Sequence, residues 1–268
     1  MEWYRKAAEQ GNADAQVKLG GMYFYGKGVA QDDKQAVEWY RKAAEQGNAD
    51  AQVKLGWMYA NGKGVAQDDK QEVEWYRKAA EQGYAGAQII LGSMYLNGKG
   101  VAQDDKQAVE WTRKAAEQGN ADGQYKLGWM YANGKGVAQD DKQAVEWFRK
   151  AAEQGNADAQ RKLGVMYFNG KGVAQDDKQA VEWYRKSAEQ GYGQAQVNFG
   201  MMLAEGRGIP RDSVEAYFWF YIAADLGEQS AIANRDRVEK ELTATQTAQA
   251  QKRADEWVAN YLKNTKRP

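Results

Sequence analysis

Apolar residues recur along this chain with the spacing of an α-helix. Within residues 12–47, Ala15, Leu19, Met22 and Tyr23 lie at positions i, i+4, i+7 and i+8, which places them on one helical face. The pattern predicts a first helix whose apolar face packs against a neighbouring element.

A second helix is predicted after the turn Gly26-Lys27-Gly28, because glycine tolerates the positive φ angles that end a helix. Asp32 with Gln35 three residues later has the pattern of a capping box at its start, and Gly47 is placed to end it. Small residues and two aromatic rings form its apolar face: Ala36, Trp39, Tyr40, Ala43 and Ala44.

This two-helix pattern returns every 36 residues, as the tryptophans show: Trp3, Trp39, Trp75, Trp111, Trp147, Trp183 and Trp219. Six full units span residues 12–47, 48–83, 84–119, 120–155, 156–191 and 192–227. Residues 1–11 match only the second half of a unit, and residues 228–268 match none. An even period of this length indicates a solenoid. We therefore predict an all-α fold, a right-handed superhelical solenoid of helix-turn-helix repeats.

A glycine recurs in the middle of every first helix, at Gly20, Gly56, Gly92, Gly128, Gly164 and Gly200. Glycine at such a position costs about 1 kcal/mol relative to alanine. Its recurrence predicts a close approach between helices.

The two ends of the array differ from its interior. Internal units carry charged residues on the outer side of the second helix, namely Glu38, Arg41 and Lys42, where the last unit has Phe218, Tyr221 and Ile222. An exposed apolar face needs a cover, so residues 228–264 are predicted to be a capping helix pair. The first helix of this pair suits residues 229–242, and Thr243 with Gln246 resembles a capping box that opens the second.

At the front, the half-repeat of residues 1–11 leaves a second helix without its first helix. The simplest interpretation is that the natural chain extends before Met1, with further repeats and a signal peptide.

Composition excludes several classes of function. The 37 basic and 37 acidic residues give a formal net charge of zero, which argues against a general nucleic-acid binder. No run of 18 apolar residues is present, so we expect no membrane insertion. The absence of Cys and His removes disulfides, cysteine nucleophiles, the commonest metal ligands and the commonest general base. We expect no cofactor and no metal ion.

The repeated string resembles the Sel1-like repeat, a relative of the tetratricopeptide repeat. Here it stands as Ala13-Asp14-Ala15-Gln16, Leu19-Gly20, Met22-Tyr23, Gly26-Lys27-Gly28-Val29 and Trp39 through Gly47. The match covers about residues 1–227. The resemblance implies a bacterial adaptor or binding scaffold in the periplasm or at the cell surface. It also implies that one face of the first helices lines a concave groove.

Differences between the units indicate where specificity enters. The first helix varies most at Val17, Gly21, Phe24 and Tyr25 and their counterparts, which share one face. At the Gly21 position the units carry Gly21, Trp57, Ser93, Trp129, Val165 and Met201, and at the Phe24 position Phe24, Ala60, Leu96, Ala132, Phe168 and Ala204. Large residues at one position accompany small residues at the other, as expected for side chains that fill shared space. Packing on the groove floor and aromatic anchors for a partner both explain this pattern.

Asparagines form a row at the mouth of the same face. Their amides could hold the backbone of an extended peptide, or they could simply end the helix before the glycine. Single substitutions at the Val17 position, Tyr125 and Arg161, add candidates for specificity. The predicted partner-binding groove comprises Phe24, Tyr25, Trp57, Asn61, Leu96, Asn97, Tyr125, Trp129, Asn133, Arg161, Phe168 and Asn169.

Two charged rows are predicted to be structural. The loop cations, from Lys27 to Arg207, are expected to complement helix C-termini, and aspartate pairs such as Asp32-Asp33 are expected to start helices. A phosphate-binding loop would need a different glycine spacing.

The leading hypothesis is a non-catalytic, monomeric scaffold that binds a protein or an extended peptide. An inhibitory or immunity protein that neutralises a secreted bacterial effector is the alternative, again from the resemblance. A penicillin-binding hydrolase is a remote alternative, because none of the serines Ser93, Ser187, Ser213 and Ser230 has a lysine three residues later.

Overall fold

The computed structural model describes residues 2–265, which form fifteen helices and contain no strand. The first helices of the six repeats are α2 (Ala13–Tyr25), α4 (Ala49–Asn61), α6 (Ala85–Asn97), α8 (Ala121–Asn133), α10 (Ala157–Asn169) and α12 (Gly193–Glu205). The second helices are α3 (Asp33–Glu45), α5 (Asp69–Glu81), α7 (Asp105–Glu117), α9 (Asp141–Glu153), α11 (Asp177–Glu189) and α13 (Ser213–Asp225). The remaining helices are α1 (Glu2–Glu9), α14 (Ser230–Glu239) and α15 (Ala244–Thr265). The prediction of an all-helical repeat protein is confirmed.

The chain forms two compact units, unit 1 (Met1–Gln139) and unit 2 (Asp140–Pro268). Within each unit, each helix up to α13 packs against the next helix along the chain. The second helix of one repeat therefore contacts the first helix of the following repeat.

Helix boundaries follow from local chemistry, with one departure from the predicted capping. The Asp32 carboxylate accepts from the backbone N–H groups of Lys34 and Gln35, and Gly26 ends α2 with φ of 65°. The reciprocal bond of the predicted capping box, from the Asp32 N–H to the Gln35 side chain, does not form. The Asp32 N–H donates to the Tyr23 carbonyl, and the Gln35 amide donates to the Glu38 carboxylate. Because the Asp32 N–H is bonded to a carbonyl of α2, it is not available to the Gln35 side chain.

A complete capping box does open α15. The Thr243 N–H donates to Gln246 Oε1 at 2.9 Å, and the Gln246 N–H donates to Thr243 Oγ1 at 3.3 Å.

The mid-helix glycines allow the close approach that their recurrence predicts. A Cβ atom on Gly20 would lie 2.8 Å from ring carbons of Tyr40, and one on Gly164 would lie 2.6 Å from the Tyr184 ring. Such distances are too short for a side chain, so glycine lets each ring lie directly on the backbone of the partner helix.

A buried glutamine in each first helix joins neighbouring repeats. Gln52 is 3% exposed, and its amide donates to the Ala44 carbonyl at the end of α3. Its oxygen accepts from the side-chain amide of Gln82, the residue that follows α5, at 2.8 Å. The Ala44 carbonyl also accepts from the Gly47 N–H, so the Gln52 amide adds a second donor to the carbonyl at the end of α3.

Two predictions about charged residues are wrong. Arg41 was expected on the solvated outer side, but it is half-buried and donates to the Tyr59 hydroxyl of the next repeat at 2.9 Å. Three of the loop cations, Lys99, Lys135 and Arg207, instead pair with carboxylates at the start of a second helix, as Arg207 does with Asp177 at 3.0 Å. These long side chains reach the neighbouring repeat, which a single unit of sequence does not reveal.

The C-terminal helices cover the last repeat. Both α14 and α15 pack against α13, and Phe218 and Ile222 are buried. The Arg253 guanidinium lies 4.6 Å from the centre of the Phe218 ring. The apolar outer side of α13 is therefore covered by the chain's own tail.

Candidate functional site

Unit 1 carries two pockets on the face of its first helices. The larger, which we call the Trp57 pocket, has a volume of about 330 Å³. Its wall consists of Phe24, Tyr25, Tyr40, Val53, Lys54, Trp57, Met58, Tyr76 and Ile90. Three of the predicted groove residues, Phe24, Tyr25 and Trp57, thus come together.

The rim of the Trp57 pocket is aromatic and open to solvent. The Phe24 ring meets the Trp57 ring edge-on, with centroids 5.5 Å apart, and also meets Tyr25 edge-on at 4.9 Å. Trp57 is 42% exposed and Tyr25 is 66% exposed. Because Phe24 packs on a residue of the following repeat, these aromatics contribute to packing and still present an accessible surface.

The floor of the Trp57 pocket is electrically neutral at physiological pH. Burial, with a smaller contribution from the negative charge of Glu72, raises the pKa of Tyr76 to about 12. Burial also raises the pKa of Tyr40. The one cation in the wall, Lys54, lies 3.5 Å from Asp50.

The second pocket, which we call the Trp129 pocket, has a volume of about 240 Å³. It is lined by Ser93, Leu96, Thr112, Tyr125, Lys126, Trp129 and Met130. Three further predicted residues, Leu96, Tyr125 and Trp129, meet here. One wall is polar, because Lys126 Nζ donates to Ser93 Oγ at 3.0 Å.

The asparagine row is engaged with its own helices. The side-chain amides of Asn61 and Asn133 donate to the Trp57 and Trp129 carbonyls at 2.8 and 2.7 Å, and Asn169 donates to Val165 at 2.9 Å. These bonds favour the interpretation that asparagine ends the helix. Asn97 is exposed at the equivalent place.

The predicted residues of unit 2 lie in a different setting. The Arg207 guanidinium lies 4.1 Å from the centre of the Phe168 ring and covers it. Arg161 is half-buried beside Lys162, whose pKa is lowered by burial and by the charge of Arg161. Phe168 therefore has a cover from its own chain.

The pairing of Ser93 with Lys126 invites comparison with a serine nucleophile and its base. Ser93 lies inside α6 and donates to the Ile89 carbonyl at 2.9 Å. Backbone N–H groups inside a helix are bonded to carbonyls of the preceding turn, so α6 offers no oxyanion donors beside Ser93. Within residues 2–265, no group of three or more acidic side chains is placed to hold a metal ion.

Several lining residues of these pockets are absent from the predicted groove, among them Lys54, Lys126 and Thr112. The lysines vary at their repeat position, which reads Lys18, Lys54, Ile90, Lys126, Lys162 and Asn198. Thr112 differs from its counterparts on the second helix, which was treated as scaffold. Comparison of the units at these positions would have found both signals.

The Sel1 repeat family model matches residues 1–12, 13–48, 49–84, 85–120, 121–156, 157–192 and 193–228. A Sel1 repeat protein from Oxalobacter formigenes is 35% identical, with a TM-score of 0.71, over 80% of this chain and 86% of that one. A protective antigen of uropathogenic Escherichia coli strains, which displays an SLR fold, is 37% identical with a TM-score of 0.44 over 97% and 71% of the chains.

An immunity protein from Pseudomonas aeruginosa is 21% identical with a TM-score of 0.51 over 84% and 83% of the two chains, a likeness of fold alone. No curated protein matches this chain. None of the helices within residues 2–265 has the length and apolarity of a membrane span. The repeated scaffold supports a protein-binding role. Because its repeats fill residues 1–228 without a gap, the chain belongs to the Sel1 repeat family.

Proposed function

We propose that this protein is a non-catalytic scaffold that binds an extended segment of a partner protein along the first-helix face of unit 1. The observation that carries the proposal is the pair of pockets at Trp57 and Trp129. The two tryptophans occupy the same position of their repeats, two repeats apart.

The pockets have the properties of side-chain anchors. Partly exposed aromatic residues that line apolar pockets dominate the binding energy of many interfaces. Packed helices lie about 10 Å apart, so anchors two repeats apart are separated by roughly 20 Å. An extended peptide spans that distance in about six residues at roughly 3.3 Å each.

Neutralisation of a secreted effector remains the alternative function. Such an inhibitor and an adaptor would both present this face to a protein, so the identity of the captured partner separates them. Co-purification from the source organism, followed by mass spectrometry, would identify it.

The experiment that tests the proposal uses a random peptide library displayed on phage and selected on the full chain. Peptides selected on the wild type should bind the double variant Trp57→Ala/Trp129→Ala at least about 30-fold more weakly, because each lost anchor is worth about 1–2 kcal/mol or more. Isothermal titration calorimetry measures the loss, and circular dichroism checks that the helical signal is retained.

Trp3→Ala provides the matched control, because Trp3 is an 84% exposed tryptophan outside both pockets. It should leave the affinity unchanged. Equal binding by the double variant and the wild type would place the site elsewhere, and unfolding of the double variant would make the two tryptophans core residues.

A further inference from the structure

Thr112 stands where the other repeats carry an aromatic ring. The equivalent residues of the second helices are Tyr40, Tyr76, Phe148, Tyr184 and Phe220. Thr112 is buried, with 1% of its surface exposed, and it lines the Trp129 pocket. Repeat 3 therefore lacks a ring at a position where the rest of the array has one.

The space of that ring is defined by the other repeats. In repeat 1, ring carbons of Tyr40 lie 2.8 Å from a Cβ atom placed on Gly20, and the Tyr40 hydroxyl lies 3.6 Å from one placed on Gly21. The ring thus crosses the mid-helix glycine, and its hydroxyl points to the next residue. Repeat 3 keeps the glycine as Gly92, but the nearest side-chain atom there is Thr112 Oγ1.

The polar wall of the Trp129 pocket lies where a phenol hydroxyl would end. The residue at the Gly21 position of repeat 3 is Ser93. Ser93 Oγ donates to the Ile89 carbonyl and accepts from Lys126 Nζ, which leaves it one lone pair for a further donor. A phenol O–H placed in this space can donate to Ser93 Oγ, whereas a phenyl ring would leave that lone pair without a partner.

The pocket is large enough for such a ring. An apolar cavity of roughly 150 Å³ suffices to bind benzene in a folded protein, and the Trp129 pocket measures about 240 Å³. Trp129 and Leu96 supply the apolar walls.

We propose that the Trp129 pocket is a recognition site for a tyrosine side chain of the bound segment, which replaces the ring that Thr112 omits. This inference rests on the proposed function and names the chemistry of one of its two anchors. The Trp57 pocket keeps its own rings, Tyr40 and Tyr76, and is therefore not a site of this kind.

The test uses p-cresol, the side-chain analogue of tyrosine, and toluene, the analogue of phenylalanine, with the full chain. Nuclear magnetic resonance titration should show p-cresol binding about tenfold more tightly than toluene, the difference expected for one hydrogen bond. Intermolecular nuclear Overhauser effects should connect p-cresol to the Thr112 methyl group.

Thr112→Tyr fills the space beside Gly92 with the tyrosine that other repeats carry at this position. It should abolish p-cresol binding and leave the helical signal unchanged. Ser93→Ala should reduce the preference for p-cresol over toluene to about twofold or less, because the hydroxyl loses its acceptor. Tyr76→Thr is the converse variant, and it should create a second p-cresol site.

Binding of p-cresol to the Thr112→Tyr variant with wild-type affinity would overturn the inference, as would the absence of binding or of contacts to Thr112 in the wild type. The contact measurement does not depend on how any variant folds. If selected peptides require Trp57 and Trp129 while p-cresol does not bind, the proposed function is supported and the tyrosine site is rejected. If p-cresol binds at Thr112 but no peptide binds the chain, the ring-binding pocket is supported and the peptide-binding function is rejected.

Discussion

Units 1 and 2 use the same repeat but treat their aromatic side chains differently. In unit 1, Trp57 and Tyr25 keep 42% and 66% of their surface exposed around a pocket. In unit 2, Arg207 covers Phe168, and Trp219 is 5% exposed and packs edge-on against Trp257 of α15. The chain thus covers Phe168 and Trp219 of unit 2 with its own residues and leaves Trp57 and Tyr25 of unit 1 accessible.

The difference separates stability from recognition within one architecture. A ring that is covered by its own chain contributes its full burial to the free energy of folding, whereas a half-exposed ring retains surface that a partner can bury. The contrast can be tested by substitutions that act on one unit and have a matched control.

The largest effect is expected in the cover of unit 2. Ala254 of α15 is fully buried, so Ala254→Asp should lower the free energy of unfolding of unit 2 by about 4 kcal/mol, because an unpaired carboxylate is forced against α13. Urea denaturation with hydrogen exchange of α13 measures this. Ala259→Asp, an exposed site of the same helix, should cost less than about 0.5 kcal/mol. Equal losses in both variants would show that α15 is not a packed cover.

A smaller effect is expected from the interior of unit 1. Glu72 replaces the alanine of the other repeats, its side chain is 6% exposed, and it pairs with Lys99 at 2.6 Å. Lys99→Ala should lower the free energy of unfolding by about 2 kcal/mol. This loss is smaller than that expected for a fully buried ion pair, because the Lys99 side chain is 41% exposed.

Glu72→Ala restores the alanine of the other repeats and should change stability by less than about 1 kcal/mol. The double variant should resemble Glu72→Ala, as a double-mutant cycle by urea denaturation would show. A double variant as unstable as Lys99→Ala would contradict this account.

A third effect appears only at alkaline pH. Burial and the charge of Glu72 raise the pKa of Tyr76 to about 12, above its unfolded value of about 10. The resulting stabilisation is complete below about pH 10 and is lost as the pH rises through about 12. Tyr76→Phe should remove about 2 kcal/mol of that loss by pH 12 and change little at neutral pH, since Phe148 and Phe220 occupy the equivalent position. Denaturation midpoints from pH 8 to pH 12 would show it, and parallel curves for both proteins would contradict the assignment.

The smallest effect is expected at the open face of unit 1. Trp57→Ala should lower the free energy of unfolding by less than about 1.5 kcal/mol, because much of the ring is in water already. Substitution of the buried Trp219 by alanine should lower the free energy of unfolding by about 4 kcal/mol. Similar losses in thermal and urea denaturation would remove the contrast between the two units.

Much of the site was predictable because the chain contains its own comparison set. Residues that stay constant between units build the helices, so Trp57 and Trp129 stood out as variable. Thr112 was not found, because its importance depends on a ring that is missing, and a missing ring matters only where the backbone preserves its space. Arg41 was misplaced for a related reason, since its partner Tyr59 lies in the next repeat.

The helices, their period and the close approach at the mid-helix glycines follow from the amino-acid sequence alone, because these depend on spacing and on backbone conformation within one unit. Tertiary structure decided which aromatics are covered, which cations pair with which carboxylates, and where an open pocket remains. Those outcomes depend on side chains that reach from one repeat to the next, and a linear pattern does not record such contacts.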